Sequence, residues 1–205
     1  METMELKALT RKTAPKAASR PVKVLQFGEG NFLRAFTDWV IDILNEKTDF
    51  NGAVQVVQPI SKGMGAMVNA QDGLYHVVLN GIKNGQPSKE TRLITCVNHV
   101  MNPYDSYEDY LALAENPDLK FIISNTTEAG IAFNPGDTNP NVLPDSFPGK
   151  VTALLYHRFK HFKGELDKAL IIIPCELIDK NGDALRQTIL QYINLWKLPE
   201  ACTQW

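Results

Sequence analysis

The sequence predicts an α/β fold: a doubly wound, mostly parallel sheet with an inserted antiparallel hairpin. Three observations predict it. Short apolar runs alternate with stretches of helical periodicity along most of the chain. The first such run stops at a glycine turn that leads directly into an amphipathic stretch. Between residues 74 and 97, two strand-like runs flank Gly81, Asn84-Gly85 and Pro87, the signature of a hairpin. With 44% apolar and 21% charged residues over 205 positions, the chain has the composition to bury a core.

Val22 to Phe27 is β-branched and apolar and ends at Gly28, so it reads as a buried strand. Apolar residues at 32, 33, 36, 39, 40, 43 and 44 then recur at helical spacing, which puts Arg34, Asp38, Asp42 and Asn45 on the opposite, polar face. Ala53 to Gln58 is a second strand ending at Pro59. Strand, helix and strand make a βαβ unit with a right-handed crossover. Leu74–Leu79 and Arg92–Val97 form the expected hairpin, an antiparallel excursion from the main sheet. After it, a helix over Tyr107–Ala114, a strand over Leu119–Ser124, a helix over Val151–Phe162, a strand over Ala169–Ile173 and a helix over Asp183–Trp196 resume the alternation. Pro199-Glu200-Ala201 would open one more helix.

Residues 1–20 read as an N-terminal extension. Lys7, Arg11, Lys12, Lys16 and Arg20 outnumber Glu2 and Glu5, and no apolar secretory core is present. The formal charge of −2 offers no field for nucleic acid or anionic lipid. The longest apolar run, Ala169–Ile173, is far short of the ~20 residues that span a bilayer. Three cysteines, Cys96, Cys175 and Cys202, form no close pair and suggest a reducing, cytoplasmic setting.

The sharpest local feature is Gly28-Glu29-Gly30-Asn31-Phe32, between the first strand and the first helix. Gly28 permits a tight turn, and Gly30 lets an anionic group approach the free N–H groups and the positive dipole end of the helix. That is how a Rossmann-type domain takes a dinucleotide, although Leu33 stands where the usual pattern has a third small residue. At the end of the second strand, where an acid commonly binds the adenosine ribose, stands Gln58. It can bond a 2′-hydroxyl but does not repel a 2′-phosphate, and with Lys62 close by the position leaves NAD against NADP open. Ligands of open α/β sheets also meet the ends of later strands, which points to Asn125, Thr126 and Glu128 after Ser124, and to the segment from Pro174 to Gly182. Capping, turn formation and simple solvation compete for each of these residues. His157 and His161 have i,i+4 spacing without a carboxylate partner in sequence, so no metal site is expected. Cys175 lacks an activating base and reads as a small buried thiol.

Val24 to Phe36, Ile123 to Ile131, Ile172 to Asp179, Asp72-Gly73-Leu74-Tyr75 and Asn181 to Leu185 together resemble the N-terminal, cofactor-binding domain of the mannitol dehydrogenase family of polyol-specific long-chain dehydrogenases. The resemblance runs from Val22 to Trp205. In that family an aromatic residue follows GxGx, which matches Phe32. The resemblance implies NAD as cofactor and a small sugar acid as substrate, with interconversion of D-altronate and D-tagaturonate in hexuronate catabolism. A fructuronate (mannonate) or mannitol-type reductase is the close alternative, and a non-catalytic nucleotide-binding module the distant one. Carried over by motif, Val24, Leu25, Gln26, Phe27, Gly28, Glu29, Gly30, Asn31, Phe32, Leu33, Arg34 and Ala35 would form the pyrophosphate cradle, and Asn125, Thr126 and Glu128 would approach the nicotinamide side. In the polyol branch an asparagine holding the reacting oxygen occupies the position of Leu177, which cannot serve that role. The resemblance further implies that residues 21–205 are the cofactor domain, that a helical C-terminal domain absent from this chain supplies the catalytic lysine, and that this chain alone lacks turnover. No catalytic residue is therefore expected within it.

Overall fold

The computed structural model describes residues 7–14 and 18–205, and of Glu128 the backbone alone. Five strands form the main sheet: β1 (Val22–Phe27), β2 (Ala53–Val57), β5 (Val97–Met101), β6 (Phe121–Ser124) and β7 (Ile171–Pro174). All neighbouring pairs are parallel, in the order β5-β2-β1-β6-β7. The chain therefore winds outward from β1 through β2 to β5, returns to the other side of β1, and winds outward again through β6 to β7. The reversal between β1 and β6 is a topological switch point, where open sheets of this kind hold ligands beyond the strand ends.

Alternation along β1 builds two cores. Val24 points to one face with Val54, Val56 and Ile123, against Leu33 and Ile41 of the first helical segment and Val68 of α2 (Gly65–Asn69). Leu25 and Phe27 point to the other face, against Tyr110 of α3 (Tyr107–Ala112), Val151 and Leu154 of α4 (Phe147–His161) and Leu185 of α5 (Asn181–Leu195). Phe27 meets the rings of Tyr110 and Phe147 edge-on at centroid distances of 6.3 and 5.1 Å. A short α6 (Glu200–Gln204) follows Pro199.

The hairpin is β3 (Tyr75–Lys83) with β4 (Gln86–Ile94), an antiparallel sheet of its own turning at Asn84-Gly85. The run expected as one strand over Arg92–Val97 is divided. β4 ends at Ile94, and Val97 opens β5, a parallel strand that pairs with β2 and that sequence reading left out. Such a partly exposed strand gives no continuous apolar run: Asn98 and His99 face outward. α4 starts four residues earlier than expected because Ser146 caps it, accepting from Gly149 N at 3.0 Å, and Pro148 fits its first turn.

The first helix is turned opposite to its predicted orientation. A π-helical stretch, Leu33–Thr37, precedes α1 (Asp38–Lys47), and Asp38 and Asp42 are buried while Phe32, Phe36, Val40 and Leu44 form an exposed row. The hairpin explains the inversion, because it lies over this helix and brings donors to both carboxylates. Tyr75 Oη donates to Asp38 at 2.6 Å, and Thr95 donates to Asp42 through both N and Oγ1 at 3.2 and 3.1 Å. Arg92 pairs with Asp42 and Glu46. Hydrophobic periodicity could not foresee burial of acids satisfied by a distant hairpin.

In the N-terminal stretch, Arg11 fastens the chain to the hairpin base. Its N–H donates to Asp72 at 2.9 Å, and its guanidinium donates to Val97 O at 2.8 Å. Residues 1–6 and 15–17 of the expected extension lie outside the described residues.

Candidate functional site

The glycine turn lies at the switch point. Gly28 has φ +117°, and a Cβ there would stand 3.2 Å from the carbonyl oxygen of Asn125. Gly28 N donates to Val57 O at 3.0 Å, and Asn125 N to Phe27 O at 3.3 Å, so the ends of β1, β2 and β6 are bonded across one another. Gly30 differs: its φ is not in the left-handed region, and a Cβ built on it would meet nothing within 4 Å. Helical structure begins at Asn31 and continues to Lys47. The first N–H groups of such a helix lack intrahelical partners. Arg34 braces the turn, donating from Nε to Glu29 O at 2.8 Å and from Nη2 to Asn31 Oδ1 at 2.7 Å, with its guanidinium 5.4 Å from the Tyr75 ring centroid.

A cleft of about 220 Å³ opens over this turn, lined by Gly28, Glu29, Gly30, Pro59, Ile60, Met64, Asn125 and Thr126. Five residues singled out by sequence thus meet at one cleft. Val24, Leu25, Gln26 and Phe27 are buried in β1 beneath it and act as its floor support. Asn31, Phe32 and Ala35 are exposed on the first helical turns, and Leu33 is buried behind them. Gln58 is buried, and its amide donates to Ile60 O at 2.8 Å, which shapes the loop after β2 from behind. The Glu128 side chain lies outside the described residues; its backbone opens the 3-10 turn Glu128–Ile131. Glu29 folds its carboxylate inward and accepts from Met64 N at 3.1 Å, closing that loop onto the glycine turn. Pro59, Ile60 and Met64 carried no sequence signal beyond the strand end at Pro59.

One acid of the segment from Pro174 to Gly182 takes a definite place beside the cleft. Glu176, buried beyond β7, accepts from Ser124 Oγ at 3.1 Å through Oε2, and from Thr126 N and Oγ1 at 3.0 and 3.1 Å through Oε1. Asn125 Nδ2 donates to Cys175 O at 2.7 Å. The loops after β6 and β7 are therefore locked together beside the cleft. Cys175 is half-buried, more open than expected, and burial raises its thiol pKa, which leaves it a poor nucleophile. His157 does have a carboxylate partner, Glu115 Oε1 at 2.8 Å, contributed by a turn distant in sequence. Among the described residues no cluster of three or more His, Cys, Asp or Glu could hold a metal. A larger cavity of about 360 Å³ lies between α4, α5 and β7, with mostly apolar walls and away from the glycine turn.

Beneath the helix start, burial raises the Asp38 carboxyl to about 7 against the hydrogen bond from Tyr75. Asp38 Oδ1 and Gln26 Oε1 are both buried acceptors without a donor among the described residues. The unfolded chain releases this proton near 3.8 and the folded chain only near 7, so as pH rises through that interval the unfolded state gains and stability falls. Asp38→Asn is expected to match the unaltered chain near pH 4 and to exceed it by about 2–4 kcal/mol at pH 8. Urea unfolding at the two pH values checks this, and an equal gap at both would contradict it.

Residues 22–205 match the family model described as the mannitol dehydrogenase Rossmann domain. The chain belongs to the mannitol dehydrogenase family. Within curated members, it is 54% identical over 200 residues to the altronate oxidoreductase of Phocaeicola vulgatus and 53% identical to that of Bacteroides thetaiotaomicron. Each alignment covers 98% of this chain but 42% of the relative, so the chain spans well under half the length of these enzymes. The same fold occurs in mannitol 2-dehydrogenase of Pseudomonas fluorescens, solved as a ternary complex with NAD and D-mannitol. Its TM-score is 0.75 at 19% identity, over 92% of this chain and 40% of that one. A D-sorbitol dehydrogenase gives 0.75 at 21% identity, over 96% and 44%. Both solved structures share the fold seen here. No helix among the described residues is long and apolar enough to cross a membrane.

Proposed function

We propose that this domain binds NAD across the β1–β6 switch and serves an oxidoreductase that interconverts D-altronate and D-tagaturonate in the cytoplasm. The observation that carries the reading is the open glycine turn. Gly30 has neither a backbone conformation nor an internal contact that demands glycine, yet it stands at a helix start facing a cleft. A pyrophosphate placed there would meet the free N–H groups and the positive dipole end of the helix. The NAD in the Pseudomonas fluorescens complex supports the cofactor, and the names of relatives at 54% and 53% identity support the substrate.

NAD supplies the hydride acceptor, C4 of its nicotinamide. The chain's own residues bind and orient it. N–H groups at the helix start and the nearby Arg34 charge face the pyrophosphate. Pro59 and Ile60 border the adenosine half over β2, with Gln58 shaping their loop. Asn125 and Thr126 border the nicotinamide half over β6, with Glu128 next in the chain. Residues 21–205 are assigned to this cofactor role. The substrate contacts and the group that moves the proton at the sugar oxygen are assigned to the part of the relatives' length that this chain does not span. Leu177, 86% exposed where a polyol branch carries asparagine, favours a sugar-acid enzyme over a mannitol-type one.

Calorimetric titration of NADH and NADPH into the 205-residue chain tests the reading. Saturable heat with NADH, at one site per chain, is expected. The absence of heat with either ligand, from protein shown folded by circular dichroism, would contradict it. Tighter NADPH binding would transfer the cofactor assignment to NADP, for which the lack of an acid at Gln58 leaves room.

A further inference from the structure

We infer that Glu176 is a positioning residue for the nicotinamide half of the cofactor: it sets the loop that this half would rest on without touching the cofactor itself. The inference rests on the dinucleotide reading above and deepens it. In a fold of this kind the two strand sets flanking the switch each take one mononucleotide. β2 borders the half where the adenosine ribose is bound, so β6 and the residues after it border the nicotinamide half.

The loop after β6 would not hold its shape from local bonds alone. Thr126 has its amide and its hydroxyl both turned to Glu176 Oε1, and Ser124, fully buried at the last position of β6, gives its hydroxyl to Oε2. One carboxylate thus takes three donors from a three-residue segment whose middle member, Asn125, donates its N–H to Phe27 O, next to the Gly28 turn. Glu176 is 4% exposed and does not line the cleft, whereas Asn125 and Thr126 do. Its own position is fixed from the other side. Asn181 Nδ2 at the start of α5 donates to Pro174 O at 2.8 Å and to Glu176 O at 3.1 Å, and Cys175 N donates to Ser124 O at 2.8 Å. The arrangement converts the end of the outermost strand into a clamp on the end of its neighbour. A neutral side chain without an acceptor would leave the part-buried Thr126 N–H and two hydroxyls without this partner, and the loop would relax toward the cleft.

ADP separates this role from a merely structural one, because it lacks both the nicotinamide of NADH and the ribose that carries it. Calorimetric titrations of NADH and ADP into Glu176→Ala, at a temperature where circular dichroism shows native signal, are expected to give roughly tenfold weaker NADH binding and unchanged ADP binding. Glu176→Gln keeps an acceptor for Thr126, and its amide can donate to Ser124 Oγ, so it is expected to restore most of the NADH affinity. If Glu176→Ala does not fold, Ser124→Ala serves instead. That side chain is sealed from the cleft and reaches it only through Glu176, and a smaller loss confined to NADH is expected. Equal weakening of both ligands, or of neither, overturns the positioning role while leaving dinucleotide binding intact. If the unaltered chain binds neither ligand, the dinucleotide reading falls and the positioning role falls with it.

Discussion

Gly30→Val will weaken NADH binding by at least about a hundredfold, a loss of roughly 2.7 kcal/mol, while leaving the thermal midpoint where it was. The two glycines of the turn make the contrast. Gly28 is held at φ +117° with the Asn125 carbonyl 3.2 Å from where a Cβ would sit, so its replacement strains the backbone and the β1–β6 junction. Gly30 carries no such demand, and a side chain there would project into open space from an ordinary backbone conformation. Its cost is paid only when something must approach the helix start closely. Calorimetry with NADH and a melting curve for the same preparation read the two consequences separately. Gly28→Ala, in the same assay, is expected to lower the melting temperature. A Gly30→Val chain that binds NADH as the unaltered one does would place the pyrophosphate elsewhere.

The largest effect on stability is expected from Arg158→Met. Arg158 is fully buried in α4, and its guanidinium donates to Lys168 O at 2.6 Å, Ala114 O at 2.6 Å, Asn116 O at 2.8 Å and Leu119 O at 3.3 Å. These carbonyls belong to the turn before β6 and to the turn before β7, so one side chain gathers the entries of both nucleotide-side strands. Methionine keeps the stem's packing but strands the carbonyls, at a cost of about 3–4 kcal/mol. For a domain of this size that corresponds to roughly 10 °C in the melting temperature. Because Arg158 lies at the opposite end of β6 from the cleft, NADH affinity measured well below the transition should change little. A shift of under 2 °C would contradict the assignment.

The backbone plan was legible in the residues because its signals are local. Val22–Phe27 ending at Gly28, Ala53–Val57 ending near Pro59 and the helices stopped by glycine or proline each announce themselves within a few positions. The cleft followed for the same reason: Gly28, Glu29 and Gly30 are consecutive, and Asn125 and Thr126 follow a strand end directly. What escaped depends on contacts between distant segments. Asp38 and Asp42 read as a solvated face until Tyr75, Thr95 and Arg92 arrive from a hairpin some 40 to 60 residues on. β5 was hidden because two of its five side chains are exposed, and the partners of Glu176 because Ser124 and Thr126 precede it by about 50 positions. Periodicity reports what an element does alone, and says nothing of a carboxylate satisfied across a sheet.

On the proposed reading, the dinucleotide lies on the glycine turn at the β1–β6 switch. Backbone amide NMR of the isotopically labelled chain, recorded with and without saturating NADH, tests it most directly. The largest shifts are expected from Gly28 to Arg34 and at Asn125 and Thr126, with little change in α4 or α5. Shifts centred instead on the apolar cavity between α4, α5 and β7, with residues 28–34 unmoved, would contradict it.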